Sequence, residues 1–149
     1  MALAYREADV AHPLDGAGFV VPAREGFDLR ACTFAHRKYA GRAPAGMALL
    51  RAFHGERALA RTDDELVGVT ARELAALLGV RGEPVLSHVT RWPGSMPQYE
   101  VGHLERVRAI EERLAAHSGL FLAGNACRGV GIPDCVRSGE AAAEAVLFD

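Results

Sequence analysis

The 149-residue chain lacks several features that would fix a function at once. It has three cysteines, Cys32, Cys127 and Cys135, and no CxxC pair. That excludes a disulfide framework and suits free thiols in a reducing compartment. Its six histidines (His12, His36, His54, His88, His103, His117) form no HxH or HxxxH, so no metal site is supported. No apolar run approaches the ~18 residues that a membrane-spanning helix needs. The start, MALAYREADVAHPLDG, has no basic flank ahead of an apolar stretch, and no signal peptide is expected. Charge of one sign is missing too: 17 Lys+Arg against 19 Asp+Glu leave a net −2 and no electrostatic reason to expect nucleic acid or an anionic membrane. The expectation is a cytoplasmic protein, with peripheral contact to the cell membrane left open.

What is present is globular: half of the residues are hydrophobic and 24% are charged. The first fifteen residues read as irregular, with His12-Pro13 and Asp15-Gly16 as turn signals. GFVVP (18–22) and LRACTFAHR (29–37) predict an antiparallel hairpin, and MALLRAFHG (47–55) a third strand. The period then changes. DDELVGVTARELAALLGV (63–80) sets Leu66, Thr70, Leu74, Leu77 and Leu78 on one helical face, with Gly79 as its C-cap and an acidic start that suits the helix dipole. Thr70 and Glu73 also spell a capping box, which we take as a chance match inside one helix. PVLSHVTRW (84–92) returns to strand, and PGSMPQY (93–99) to loop. EVGHLERVRAIEERLAAH (100–117) carries Val101, Leu104, Val107, Ile110 and Leu114 as a buried stripe. LFLAGNA (120–126) reads as a strand buried on both faces, and IPDCVRSGEAAAEAVL (132–147) as a helix. The helix over 100–117 would then cross over between strands at 84–92 and 120–126.

The turn CRGVGIPDC (127–135) raises the chemical question. Gly129 and Gly131 supply two glycines of GxGxxG, but Asp134 stands where the third belongs. A complete dinucleotide phosphate site is therefore excluded. What remains is a turn where backbone can approach a flat ligand, followed by a helix that starts at Ile132-Pro133 with free amides and a positive dipole end. That suits a partly negative edge such as N1–C2=O of a reduced flavin. The plainer alternative is a connection that only packs.

Wording adds what spacing cannot. RWPGSMPQYEVGHLERVRAIEERL followed by LFLAGNACRGVGIPDCVRSGEAAAEAV resembles the C-terminal end of the protoporphyrinogen oxidase family, FAD-dependent enzymes of heme biosynthesis. GFVVP, ACTF, GRAPAG, LLRAFHG and DDEL follow the same order, so the resemblance runs from about Leu14 onward. The family's N-terminal Rossmann unit with its GxGxxG has no counterpart here, and the chain reads as the C-terminal portion alone.

The resemblance implies a mixed α/β (α+β) architecture. Residues 1–91 would be part of a substrate-domain antiparallel sheet with one helix. Residues 92–149 would be the strand–helix segment that completes an FAD-binding, Rossmann-like domain. Val130, Gly131 and Ile132 would meet the flavin pyrimidine edge and its ribityl attachment through backbone, and Asn125 the ribityl or phosphate region. Val20 and Phe53 would wall the tetrapyrrole pocket; Phe53 alone also fits as plain core. Trp92 and Tyr99 flank a loop near the flavin without a firm role, and Cys135 reads as a small buried residue. Arg42 fits a loop-anchoring salt bridge better than a propionate contact. The implied reaction is oxidation of protoporphyrinogen IX by FAD and O2 in three two-electron steps, with no catalytic acid or base nameable here. The alternatives are a flavin oxidase acting on coproporphyrinogen or an amine, and a non-catalytic α/β module that self-associates through edge strands. The missing N-terminal half is an implied partner, since the FAD site is incomplete without it.

Overall fold

Alternation decides the first unit. In the computed structural model, which describes residues 1–148, strand β1 (Ala2–Arg6) turns Leu3 and Tyr5 to the interior. β4 (Met47–His54) turns Ala48, Leu50 and Ala52 to the same side. With β2 (Gly18–Val20), β3 (Leu29–Phe34) and β5 (Leu86–His88) they form a five-stranded antiparallel sheet in the order β2-β3-β4-β1-β5. A register shift between Leu29 and Ala31 changes the alternation of β3, so Leu29 faces inward together with Cys32 and Phe34. Both sheet edges, β2 and β5, are three-residue strands, which offer little template for another chain.

A single turn of helix, α1 (Ala35–Lys38), follows β3, and the long helix α2 (Asp63–Leu78) supplies the other half of the core. Leu74 and Leu78 pack with Leu3, Tyr5, Leu29 and Leu50 in one buried cluster. The helix starts at a true capping box: Thr62 accepts from the Glu65 amide, and Glu65 accepts from the Thr62 amide at 2.8 Å. Thr70, by contrast, is buried and donates to the Leu66 carbonyl at 2.6 Å, so the Thr70–Glu73 pattern is indeed no cap. Glu73 instead accepts the Asp28 and Leu29 amides at 2.7 and 2.9 Å, which ties the helix to the start of β3. Gly79 closes the helix in the left-handed conformation, as its position predicts.

Three expectations need correction in this unit. The start of the chain is not irregular, because Ala2–Arg6 lies between β4 and β5 as an inner strand. The strand expected over 84–92 pairs only at Leu86–His88. It runs antiparallel to β1, and the expected crossover has no second strand to reach, because 120–126 forms none among the described residues.

The second unit, Gly94–Asp149, holds α3 (His103–Leu114) and α4 (Ile132–Phe148). Among the described residues, 120–126 is not a strand. Its backbone has no ladder partner there, and a strand exists only when its N–H and C=O groups are paired. Leu120 and Leu122 are half exposed, so the expected burial on both faces does not occur. Of the stripe expected on the 100–117 helix, only Val107 is buried; Val101 precedes the helix, and Leu104 and Ile110 stay exposed. An apolar groove of ≈ 650 Å³ remains between α3, the 118–122 segment and α4, lined by Ile110, Leu114, Leu122, Ala141 and Ala145 among others. No helix of the described residues is long and apolar enough to cross a membrane.

Candidate functional site

One candidate surface is the sheet face that points away from the core. Register aligns Val20 of β2, Ala31 of β3 and Phe53 of β4 in one row across three strands. The next row holds Gly18, Thr33, Arg51, Ala2 and His88. Leu49, Ala4 and Leu86 form the third. Val20 is 78% and Phe53 40% exposed, so both stand outside the buried core of this unit. Small residues between them keep the wall flat enough for a planar ligand. No Asp or Glu occupies these strand positions, whereas Arg51 and His88 do. The Arg51 guanidinium carbon lies 4.9 Å from the Phe53 ring centroid, an arrangement that orients the cation over the wall. Arg42 makes the ring contact instead of an ion pair: it lies 5.6 Å from the Tyr39 ring centroid, and no salt bridge is found for it among the described residues.

The second candidate is the Gly-rich turn, in the other unit. Three side chains hold its backbone, and an ion pair holds one of its side chains. Tyr99 stacks on His103 with centroids 4.1 Å apart and planes 8° from parallel. The Tyr99 hydroxyl donates to the Asn125 carbonyl at 2.6 Å and accepts the Gly129 amide at 2.9 Å. His103 Nε2 lies 2.8 Å from the Cys127 carbonyl, and Ser138 Oγ accepts the Gly124 amide at 3.0 Å. Arg128 forms a two-pronged pair with Glu111, at 2.6 and 3.1 Å, which holds the Glu111 carboxyl below the usual carboxylate range. Tyr99 thus gains a definite role: it spans the turn from Asn125 to Gly129. The proline-rich PGSMPQY stretch was the available signal for it; His103 and Ser138, which give no nucleophile–base pair, could be seen only once folded.

Val130 and Ile132 are exposed at the tip of this turn, and Gly131 and Asn125 are half-buried. Gly129 has φ 145°, and a Cβ there would lie 2.5 Å from Asp134 Cγ; one on Gly131 would lie 2.9 Å from Asp134 Oδ2. The Asp134 carboxylate, paired with Arg137, therefore covers the turn and already faces the positive end of α4. An anionic phosphate at that helix end would meet this carboxylate and be repelled by it. The backbone at Val130–Ile132 stays open beside it. Cys135 is half-buried rather than buried. Among the described residues no group of His, Cys, Asp and Glu forms a metal site.

Removing the Tyr99 hydroxyl while keeping its ring tests the clamp. In Tyr99→Phe the Gly129 amide loses its acceptor, and its hydrogen exchange is expected to quicken by about fivefold, the effect of one hydrogen bond worth ~1 kcal/mol. Amides inside α4 should keep their rates; NMR-detected exchange reads both.

Residues 2–147 match the family of flavin containing amine oxidoreductases. The chain is 38% identical over 152 residues to a coproporphyrinogen III oxidase of Bacillus subtilis (strain 168), covering 99% of this chain and 32% of that protein. It is 42% identical over 114 residues to the coproporphyrinogen III oxidase of Propionibacterium freudenreichii subsp. freudenreichii, covering 74% of this chain and 22% of that protein. A chloroplastic protoporphyrinogen oxidase of Oryza sativa subsp. japonica is 30% identical over 139 residues, covering 88% and 26%. A solved structure from Exiguobacterium sp. 255-15, assigned as a protoporphyrinogen oxidase, superposes with a TM-score of 0.80 at 30% identity, covering 99% of this chain and 34% of that one. The chain spans about a third of the length of the curated relatives that match it over nearly its whole length. The chain belongs to the flavin containing amine oxidoreductase family.

Proposed function

We propose that this chain contributes the substrate-facing sheet and the flavin-edge turn of an FAD-dependent porphyrinogen oxidase, as the C-terminal portion of such an enzyme. The observation that carries the reading is the flat, apolar, acid-free sheet face with Val20 and Phe53 in register, in a chain whose relatives are named for porphyrinogens. An apolar wall suits a macrocycle whose charged groups sit at its rim. Val130, Gly131 and Ile132 present backbone to the flavin ring edge, Asn125 lies at the other end of the same turn, and Tyr99 and His103 keep it in shape. Bound there, FAD would take two electrons at a time from the porphyrinogen and pass them to O2; porphyrinogen plus three O2 gives porphyrin plus three H2O2. The chain's own residues orient and exclude water, and none is assigned as an acid or base.

Two porphyrinogens compete as substrate. Family wording points to protoporphyrinogen IX. Higher identity to coproporphyrinogen III oxidases, 38–42% against 30% for the rice protoporphyrinogen oxidase, favours coproporphyrinogen III. A chimera tests the shared reading: this chain replaces the matching third of the B. subtilis coproporphyrinogen III oxidase. The product is expected to purify yellow with flavin and to oxidise coproporphyrinogen III. A folded chimera that holds flavin but oxidises neither porphyrinogen would overturn the substrate class, and one that holds no flavin would overturn the turn's assignment.

A further inference from the structure

We propose that Arg51 is a substrate-specificity residue, a receptor for a propionate carboxylate that favours the tetracarboxylate coproporphyrinogen over the dicarboxylate protoporphyrinogen. This rests on the porphyrinogen reading above and names the residue that would decide between its two substrates. Arg51 sits on β4, two residues from Phe53 on the same face, with its guanidinium against the Phe53 ring. Among the described residues it forms no ion pair, and no strand position on this face carries a carboxylate to neutralise it. A guanidinium against a ring exposes little charge through its face, and its in-plane N–H fork stays free for a bidentate carboxylate.

The same row extends the argument. Arg51 pairs with Ala2, and Ala2 with His88, so the two basic side chains stand on either side of one alanine, about 10 Å apart at strand spacing. A macrocycle lying on Val20, Ala31 and Phe53 brings its rim to that row. Coproporphyrinogen III bears a propionate on each of its four rings. Protoporphyrinogen IX carries vinyl groups in place of two of them. A cation here can meet a propionate of any of the four rings of the former, but is left facing an apolar vinyl in those orientations of the latter that turn a vinyl-bearing ring to it. The loss of that charge-assisted pair, where a vinyl takes the place of the propionate, is what would produce the discrimination.

The test uses the chimera described above, which carries this chain, and the stable porphyrins as probes: coproporphyrin III, protoporphyrin IX, and coproporphyrin III tetramethyl ester in a fixed detergent. Binding is followed by porphyrin fluorescence. Arg51→Gln is expected to weaken coproporphyrin III binding by about tenfold or more, to weaken protoporphyrin IX less, and to leave the ester within about twofold. Arg51→Lys should recover only part of the loss, since a point charge does not replace the fork. Equal losses for coproporphyrin and its ester would show that Arg51 acts through the wall's shape, and would overturn the proposal. So would an unchanged coproporphyrin affinity, while leaving the porphyrinogen reading intact. If the unsubstituted chimera binds none of the three probes, the porphyrinogen reading itself fails, and this proposal with it.

Discussion

Raising the pH from about 9 to about 11 is expected to cost the sheet unit ~3 kcal/mol of stability, carried by two buried acids on the inner strands β1 and β3, which flank β4. Burial pushes the Cys32 thiol from 9.0 up to about 12. Burial, reinforced by the negative charge of Glu83, pushes the Tyr5 phenol from 10.0 up to about 12. Both groups are neutral when protonated, and the interior accepts only that form. In the unfolded chain they ionise at their ordinary values, so at pH 11 unfolding releases protons that the native sheet retains. Their contribution is intact below about pH 9 and is lost as the pH rises toward 12. Urea midpoints measured from pH 8 to 11 should fall accordingly. The Cys32→Ala/Tyr5→Phe variant should begin from a different stability yet show a much shallower slope. An equally steep slope in that variant would assign the alkaline loss to other groups.

The elements that sequence reveals best are those whose side chains report their own surroundings. Leu66, Leu74 and Leu78 repeat at helical spacing and are buried together, so α2 was legible to within two residues at its end. Gly18–Val20 and Leu29–Phe34 alternate around a turn and pair as expected. β1 was hidden because ALAYR is too short to show a period, and two alanines on its open face break the contrast that alternation needs. The opposite error came from LFLAGNA. Its apolar content is strand-like, but a strand is a relation between two segments, and Gly94–Asp149 contains no partner for it among the described residues. The stripe on α3 failed for a related reason: period shows which face could be buried, not whether anything lies against it.

The candidate sites follow the same division. Val20 and Phe53 could be named singly, but their common row appears only when Ala31 is seen to pair with both. Arg51 was passed over because a lone arginine in a strand carries no pattern; its meaning comes from the absence of acids around it and the ring beneath it. In the turn, Gly129 and Gly131 were legible from their type. The covering position of Asp134 was not, although its presence at the third glycine's place was the reason to exclude a phosphate site.

Gly18 links the fold to that surface most directly, and Gly18→Ala is expected to destabilise the chain by about 3 kcal/mol. Its φ of 139° lies where L side chains are strained, and the space a Cβ would need is already filled by the neighbouring strand. The added carbon would lie 2.1 Å from the Cys32 carbonyl oxygen and 2.8 Å from the Thr33 Cα. Both are backbone atoms of β3, fixed in register on one side by β2 and on the other by β4, so neither can rotate away as a side chain would. The clash is relieved only if β2 lifts off. Because β2 is an edge strand, Leu3, Leu50 and Leu74 remain packed and the protein still folds, but Val20 leaves the open wall. Gly26→Ala provides the comparison: it too has positive φ, 77°, yet a Cβ there meets nothing within 4 Å, so only the conformational cost of about 1 kcal/mol applies. Thermal unfolding of both variants separates strain from collision. Faster exchange of the Val20 and Val21 amides in Gly18→Ala alone would locate the damage in β2, whereas equal destabilisation by the two substitutions would rule the collision out.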